Sequence, residues 1–187
     1  MIHIEPSEFR TFVRESNRIE GITRAPLQRE LRAHADLIRC DAIQLGDLCR
    51  FVAAVQPGAT LRDASGMNVR VGSHIAPPGG PAIRERMFEL LDAVVFDADP
   101  FVTHCTYETI HPFMDGNGRS GRALWLWQMI RRKRALYALH TGFLHLFYYQ
   151  ALQAFGDRFG SAAATRQSGS EANTGCPQVD REGEEPQ

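Results

Sequence analysis

His111-Pro-Phe-Met-Asp115-Gly-Asn-Gly-Arg119-Ser-Gly-Arg122 opens with a glycine-rich loop at 111–117 and runs directly into Ala123-Leu-Trp-Leu-Trp127-Gln-Met-Ile130-Arg-Arg132. The stretch from Arg119 to Arg132 predicts a helix, and Ala123, Leu124, Trp125, Leu126, Trp127, Met129 and Ile130 make it apolar nearly all round. A helix without a polar face belongs in the middle of a bundle. This reading sets the fold class as mainly α, with the glycine loop at the N-terminal end of the central helix.

Working outward, Asp99-Pro100 supplies an N-cap and first-position pair for a helix that ends near Ile110. Ile83, Met87, Leu90, Leu91 and Val94 share one face of a helix over about 81–96. Leu45, Leu48, Val52 and Val55 repeat at helical spacing over 44–55, and Pro57-Gly58 stops them. Pro26 is expected to open a helix carrying Leu27, Leu31, Ala35 and Ile38, and Phe9, Phe12 and Val13 line a first short helix. Residues 59–80 break this rhythm. Asp63-Ala-Ser-Gly66 has turn composition, Val69-Arg-Val71 alternates, and Pro77-Pro-Gly-Gly80 closes the segment, which predicts a short β-hairpin or flap. A last helix is expected over 142–155, and the Ser-, Gly-, Glu- and Gln-rich remainder predicts a disordered tail. The expected organisation is an N-terminal segment 1–25, a helical domain 26–155 and a tail 156–187.

Composition narrows the function classes. A formal net charge of −1 gives no basic field for nucleic acid, and the run Arg131-Arg132-Lys133-Arg134 suits a helix C-terminus instead. No stretch of about 20 apolar residues predicts a membrane span. The first residues lack the blocks of a signal peptide, so a cytoplasmic location is expected. Cys40, Cys49, Cys105 and Cys176 form no CxxC pair, which favours free thiols over zinc or disulfides.

The chemistry concentrates at 111–122. Gly116-Asn117-Gly118 lies at a helix start, where free backbone N–H groups bind anions and glycine lets a phosphate approach closely. Arg119 and Arg122 are three apart and can both project towards that anion as guanidinium forks. Asp115 offers the carboxylate that a Mg²⁺ shared with phosphates requires. His111 is a base that can be neutral near pH 7. Taken singly, each piece has an ordinary explanation as a cap, a turn or a solvated surface. Together they make a phosphoryl-transfer site of base, metal ligand, anion cradle and cations.

The same string matches HxFx(D/E)GNGRxxR at every fixed position and so resembles the Fic family. Val69-Arg-Val-Gly-Ser-His-Ile-Ala-Pro-Pro78 resembles the family's flap, and Phe147-Tyr-Tyr-Gln-Ala-Leu152 resembles its adenine-side helix. The resemblance implies a Fic-type helical bundle that transfers AMP from ATP, with Mg²⁺, to a Tyr, Thr or Ser hydroxyl of a target protein docked at the flap. His111 would deprotonate that hydroxyl, and Phe113 would pack inward. Asp115 would hold Mg²⁺ on the α- and β-phosphates. Gly116, Asn117 and Gly118 would cradle the phosphates with help from Arg119, and Arg122 would hold the γ-phosphate. Val71, Gly72, Ser73 and His74 would lie near nucleotide and target, and Tyr148 would contact adenine.

Near the N-terminus, Ser16-Asn-Arg-Ile-Glu20-Gly21 matches the family's inhibitory motif (S/T)xxxE(G/N). The match implies an inhibitory helix whose Glu20 pairs with Arg122 and takes the place of the γ-phosphate, leaving ATP misaligned for in-line attack. Other readings stay open at this level. Glu20 could position water for removing AMP, another donor could replace ATP, or the chain could be a non-enzymatic Fic-like interaction module. Some relatives with this brake form homodimers. Pro77-Pro-Gly-Gly80 carries more glycine than the family's flap leads one to expect.

Overall fold

The computed structural model describes residues 4–71 and 74–132, with His74 described in its backbone only. The expected helix over 142–155, the tail, Gly72, Ser73, Tyr148 and Cys176 lie outside the described residues. Within them the chain forms α1 (Pro6–Ile19), α2 (Gln28–Arg39), α3 (Leu45–Val55), β1 (Arg70–Val71), β2 (His74–Ile75), α4 (Pro81–Val95), α5 (Pro100–Ile110) and α6 (Asn117–Arg131). The fold is mainly helical, as the periodicity predicts.

Each helix has a local reason for its limits. Pro6, Pro81 and Pro100 open α1, α4 and α5, where a missing N–H costs nothing. Asp99 Oδ1 accepts from the amides of Phe101 and Val102, the expected N-cap of α5. Pro26 does not open α2. That helix starts at Gln28, because the Glu30 carboxylate reaches back to the Leu27 amide at 2.8 Å and fixes Leu27 as its cap. The hairpin expected over 59–80 shrinks to two strands of two residues each, paired antiparallel as Arg70–Ile75 and Val71–His74.

Packing divides into two clusters. Leu48, Phe51, Val52, Ile83, Met87, Tyr107, Phe113 and Leu124 belong to the larger, built from α2 to α6. Phe12, Val13 and Ile19 of α1 pack instead with Leu31, Leu126 and Ile130 in a separate cluster. Helix α6 contributes to both and is the centre of the bundle. At its C-terminus Arg131 lies over the Trp127 ring, and Arg132 donates to the Ala98 carbonyl at 2.6 Å. Arg131 and Arg132, the described part of the basic run, therefore lie at a helix end and donate to backbone carbonyls of neighbouring segments.

Candidate active site

The turn from α5 into α6 holds the glycine loop. His111 caps α5 in the left-handed region at φ 50°, an uncommon conformation for a residue with a Cβ. Its amide donates to the Tyr107 carbonyl at 2.9 Å, and its own carbonyl accepts from Arg62 Nε at 2.7 Å. Phe113 is buried in the core, as the family resemblance implies. Asn117 closes the loop behind it: its Oδ1 accepts from the Phe113 amide and its Nδ2 donates to the Phe113 carbonyl, both at 2.8 Å. The Asn117 side chain is thus a loop clamp, and only its backbone remains for an anion.

Helix α6 begins at Asn117, two residues earlier than expected, with Gly116 as N-cap at φ 79°. Gly118 is therefore already in the first turn. A Cβ built there would fall 2.3 Å from Glu20 Oε1 and 2.8 Å from Arg122 Nη1. A carboxylate thus rests on the positive end of α6, in the place a phosphate oxygen takes at such a terminus.

Glu20 arrives there because α1 ends there. Gly21 adopts φ 73°, its amide donates to the Arg18 carbonyl at 2.9 Å, and the Ile22 amide donates to the Asn17 carbonyl at 3.0 Å. This is the left-handed helix stop that glycine or asparagine supports. Glu20 is the C-cap, a position where the helix dipole disfavours an anion. Arg122 supplies the compensation. Its Nη2 lies 2.5 Å from Glu20 Oε1 and donates to the Ser16 carbonyl at 2.9 Å, while its Nε donates to Ser16 Oγ at 3.0 Å. Arg122 is 2% exposed, so one buried guanidinium carries both the α1 terminus and its acidic cap.

The two arginines expected to converge on one anion turn to different neighbours. Arg119 is buried against α3, its Nη1 donating to the Val55 carbonyl at 2.8 Å and its Nη2 to Gln56 Oε1. Helix α3 ends at Val55, and its unsatisfied carbonyls draw the cation away from the direction expected of it. Gln56 was not singled out by sequence reasoning. It bridges Arg119 to Asp115, whose Oδ2 accepts from Gln56 Nε2 at 2.5 Å, and nothing in a lone glutamine before Pro57-Gly58 signals that role.

Asp115 is exposed, with Oδ1 accepting from the Gly116 amide at 2.6 Å. Each oxygen keeps a lone pair, and the carboxylate stands beside a helix N-terminus. That donor set fits a Mg²⁺ that arrives with phosphates, which needs one or two carboxylates from the protein. Among the described residues no group of three or more His, Cys, Asp or Glu forms a cage for an ion. Val71 is exposed on β1 opposite His74.

Beneath His111 lies a partly buried acid that sequence reasoning also passed over. Glu108 Oε2 is 4.0 Å from His111 Nδ1, and Glu108 Oε1 is 3.9 Å from His104 Nε2. Burial raises the Glu108 pKa to about 7 against the opposing pull of Arg122, and burial lowers that of His104 to about 3. Gly121 makes room for this group: a Cβ there would fall 2.6 Å from Glu108 Oε1.

Comparison with known proteins bears on the family and the fold. A family model described as Fic/DOC family matches residues 35–129. The fold is similar to the crystal structure of a Fic family protein from Desulfovibrio desulfuricans G20, with a TM-score of 0.56 and 23% sequence identity. That similarity covers 82% of this chain, which spans 59% of the length of the other. No described helix is long and apolar enough to cross a membrane.

Proposed function

The chain belongs to the Fic/DOC family, whose members are generally transferases, and from that premise we infer that it is a protein adenylyltransferase restrained by its own α1. In the reaction, His111 takes the proton of a Tyr, Thr or Ser hydroxyl on a target protein presented by the flap. The hydroxyl oxygen attacks the α-phosphorus of ATP, the bond from that phosphorus to the bridging oxygen breaks, and pyrophosphate leaves. The target carries AMP as a phosphodiester. Backbone N–H groups of Gly116 to Gly118 receive the phosphates, and Arg122 pairs with the terminal one. Mg²⁺, held by Asp115, would neutralise charge on the phosphates.

The observation that carries this reading is the 2.5 Å pair of Glu20 with Arg122 above Gly118. A carboxylate already sits on the anion seat and on the cation that the γ-phosphate requires. ATP can then bind only with its phosphates displaced from the in-line pose, and small displacements of reacting atoms cost about 100-fold in rate.

The test compares wild type, Glu20→Gly and Glu20→Gly/His111→Ala, each incubated with ATP and Mg²⁺ and followed by intact-protein mass spectrometry. An AMP adduct confined to Glu20→Gly is expected. Absence of an adduct on all three, with ATP binding demonstrated, would overturn the assignment of donor and brake.

A further inference from the structure

Arg62 is fully buried, yet among the described residues it forms no ion pair. Its guanidinium spends its donors on backbone carbonyls. Nη1 donates to Met67 and Pro77, both at 2.9 Å. Nε donates to His111 at 2.7 Å and Nη2 to Ile110 at 2.9 Å. The first pair are the two stems of the flap, one before β1 and one after β2. The second pair are the residue at the end of α5 and the candidate base itself.

The backbone around Arg62 repeats the pattern. The Arg62 amide donates to the Pro112 carbonyl at 2.8 Å, and the Gly80 amide donates to the Arg62 carbonyl at 2.9 Å. Leu61 bridges Phe113, and the Met114 amide donates to the Thr60 carbonyl at 2.9 Å. The stems themselves touch. A Cβ on Gly79 would fall 2.5 Å from the Met67 carbonyl oxygen, and the Gly79 amide donates to Asn68 Oδ1 at 3.0 Å.

A buried cation without a carboxylate is costly unless its donors are satisfied. Burial draws the Arg62 pKa down, and four carbonyl dipoles stand in for the missing counter-charge. A lysine can place the charge but not the planar fork that reaches four acceptors at once. The left-handed His111 also needs an external restraint, and Arg62 Nε is bonded to its carbonyl.

We propose that Arg62 is a positioning residue that locks the flap to the His111 loop, so that a hydroxyl presented on the flap keeps a fixed distance to the base. This deepens the transferase reading and rests on it for the roles of flap and base. A base must lie within about 3 Å of the proton it takes. Seat and base are carried on segments more than thirty residues apart in sequence, and one side chain bonds both.

Hydrogen exchange on the full-length wild-type chain tests the lock without assuming any activity. The amides of Gly80, Arg62 and Met114 are expected to open together, with one dependence on denaturant. A Gly80 opening that leaves Arg62 and Met114 protected overturns the proposal. Arg62→Lys should raise exchange about 10-fold or more in 64–80 and 110–114 together while α2 and α3 keep their protection. A rise in one segment only, or spread evenly over the chain, also counts against it. In the Glu20→Gly background, Arg62→Lys should lower AMP transfer about 100-fold and leave ATP affinity within about 3-fold. An equal loss of both would make Arg62 merely structural. If Glu20→Gly with intact Arg62 forms no adduct, the transferase reading fails, while the exchange data still decide the lock.

Discussion

Glu108 sits in the last turn of α5 with Oε1 lacking a hydrogen-bond partner among the described residues, facing His104, His111 and the backbone of Gly121. Burial makes its charged form expensive, and Arg122 only partly offsets that cost while Glu20 adds to it. The folded pKa, about 7, lies above the ordinary 4.5, so the folded chain holds this proton over a range where the unfolded chain has released it. The associated stability is complete below about pH 4.5 and is lost as pH rises through 7, on the order of 3 kcal/mol in all. Glu108→Gln removes the titration. Relative to wild type, the variant should gain stability between pH 4.5 and 7 and change no further at higher pH. Comparing the two proteins by chemical denaturation also cancels the opposite trend of His34 and His104, whose pKa values burial pushes down to about 4 and 3. A stability difference that does not vary with pH would show that Glu108 is not held neutral by its surroundings.

At the scale of the element, the inhibitory motif is a helix ending. Ser16 and Glu20 lie one turn apart so that a single guanidinium reaches both, and Gly21 follows because the chain must turn left-handed to leave. Nothing lies within 4 Å of a Cβ at Gly21, so a substitution there acts through backbone strain alone. Gly21→Asn should keep the brake, whereas Gly21→Val should cost about 1–2 kcal/mol at the cap and release part of the transfer activity. Equal basal adduct formation by the two variants would refute the link between helix stop and inhibition. Features of this kind were legible in the sequence because they are local. Apolar spacing marked α1 to α4, an all-round apolar stretch marked α6, and Asp99-Pro100 marked the cap that opens α5. Long-range choices were not legible. Arg119 turns away because α3 happens to end beside it, and Gln56 gains its role only from that meeting. Arg62 lies in a segment whose turn residues carry no periodic signal, so its four carbonyl partners emerge only when both chain ends of the flap return to α5.

Among the described residues of the whole molecule the apolar side chains fall into two clusters, α1 contributes only to the smaller one, and the His34 ring meets Phe12 of one and Phe51 of the other. Helix α1 also has a polar anchor. Glu30 is buried, and it accepts from Asn17 Nδ2 at 3.0 Å and from Arg24 Nη2 at 2.5 Å. Burial alone would raise its pKa, but the Arg24, Leu27 and Asn17 hydrogen bonds bring it down to about 2. The segment bearing Glu20 can therefore detach as a unit while the larger core stays intact, since local opening follows the boundaries of packed clusters. Phe12 is the place to test this. It is fully buried, and its ring stacks on Trp125 at 6.2 Å and meets His34 edge-on at 6.1 Å. Phe12→Ala should cost about 3–5 kcal/mol, and nearly all of that loss should fall on the docking of α1. Hydrogen exchange is then expected to rise steeply over residues 6–20 while α3, α4 and α5 retain their protection. An AMP adduct should also appear on a chain whose Glu20 is intact, and it should disappear when His111→Ala is added. Uniform loss of protection would mean that the molecule is one cooperative unit. Release of α1 without an adduct would mean that the Glu20–Arg122 pair is not what restrains the chemistry.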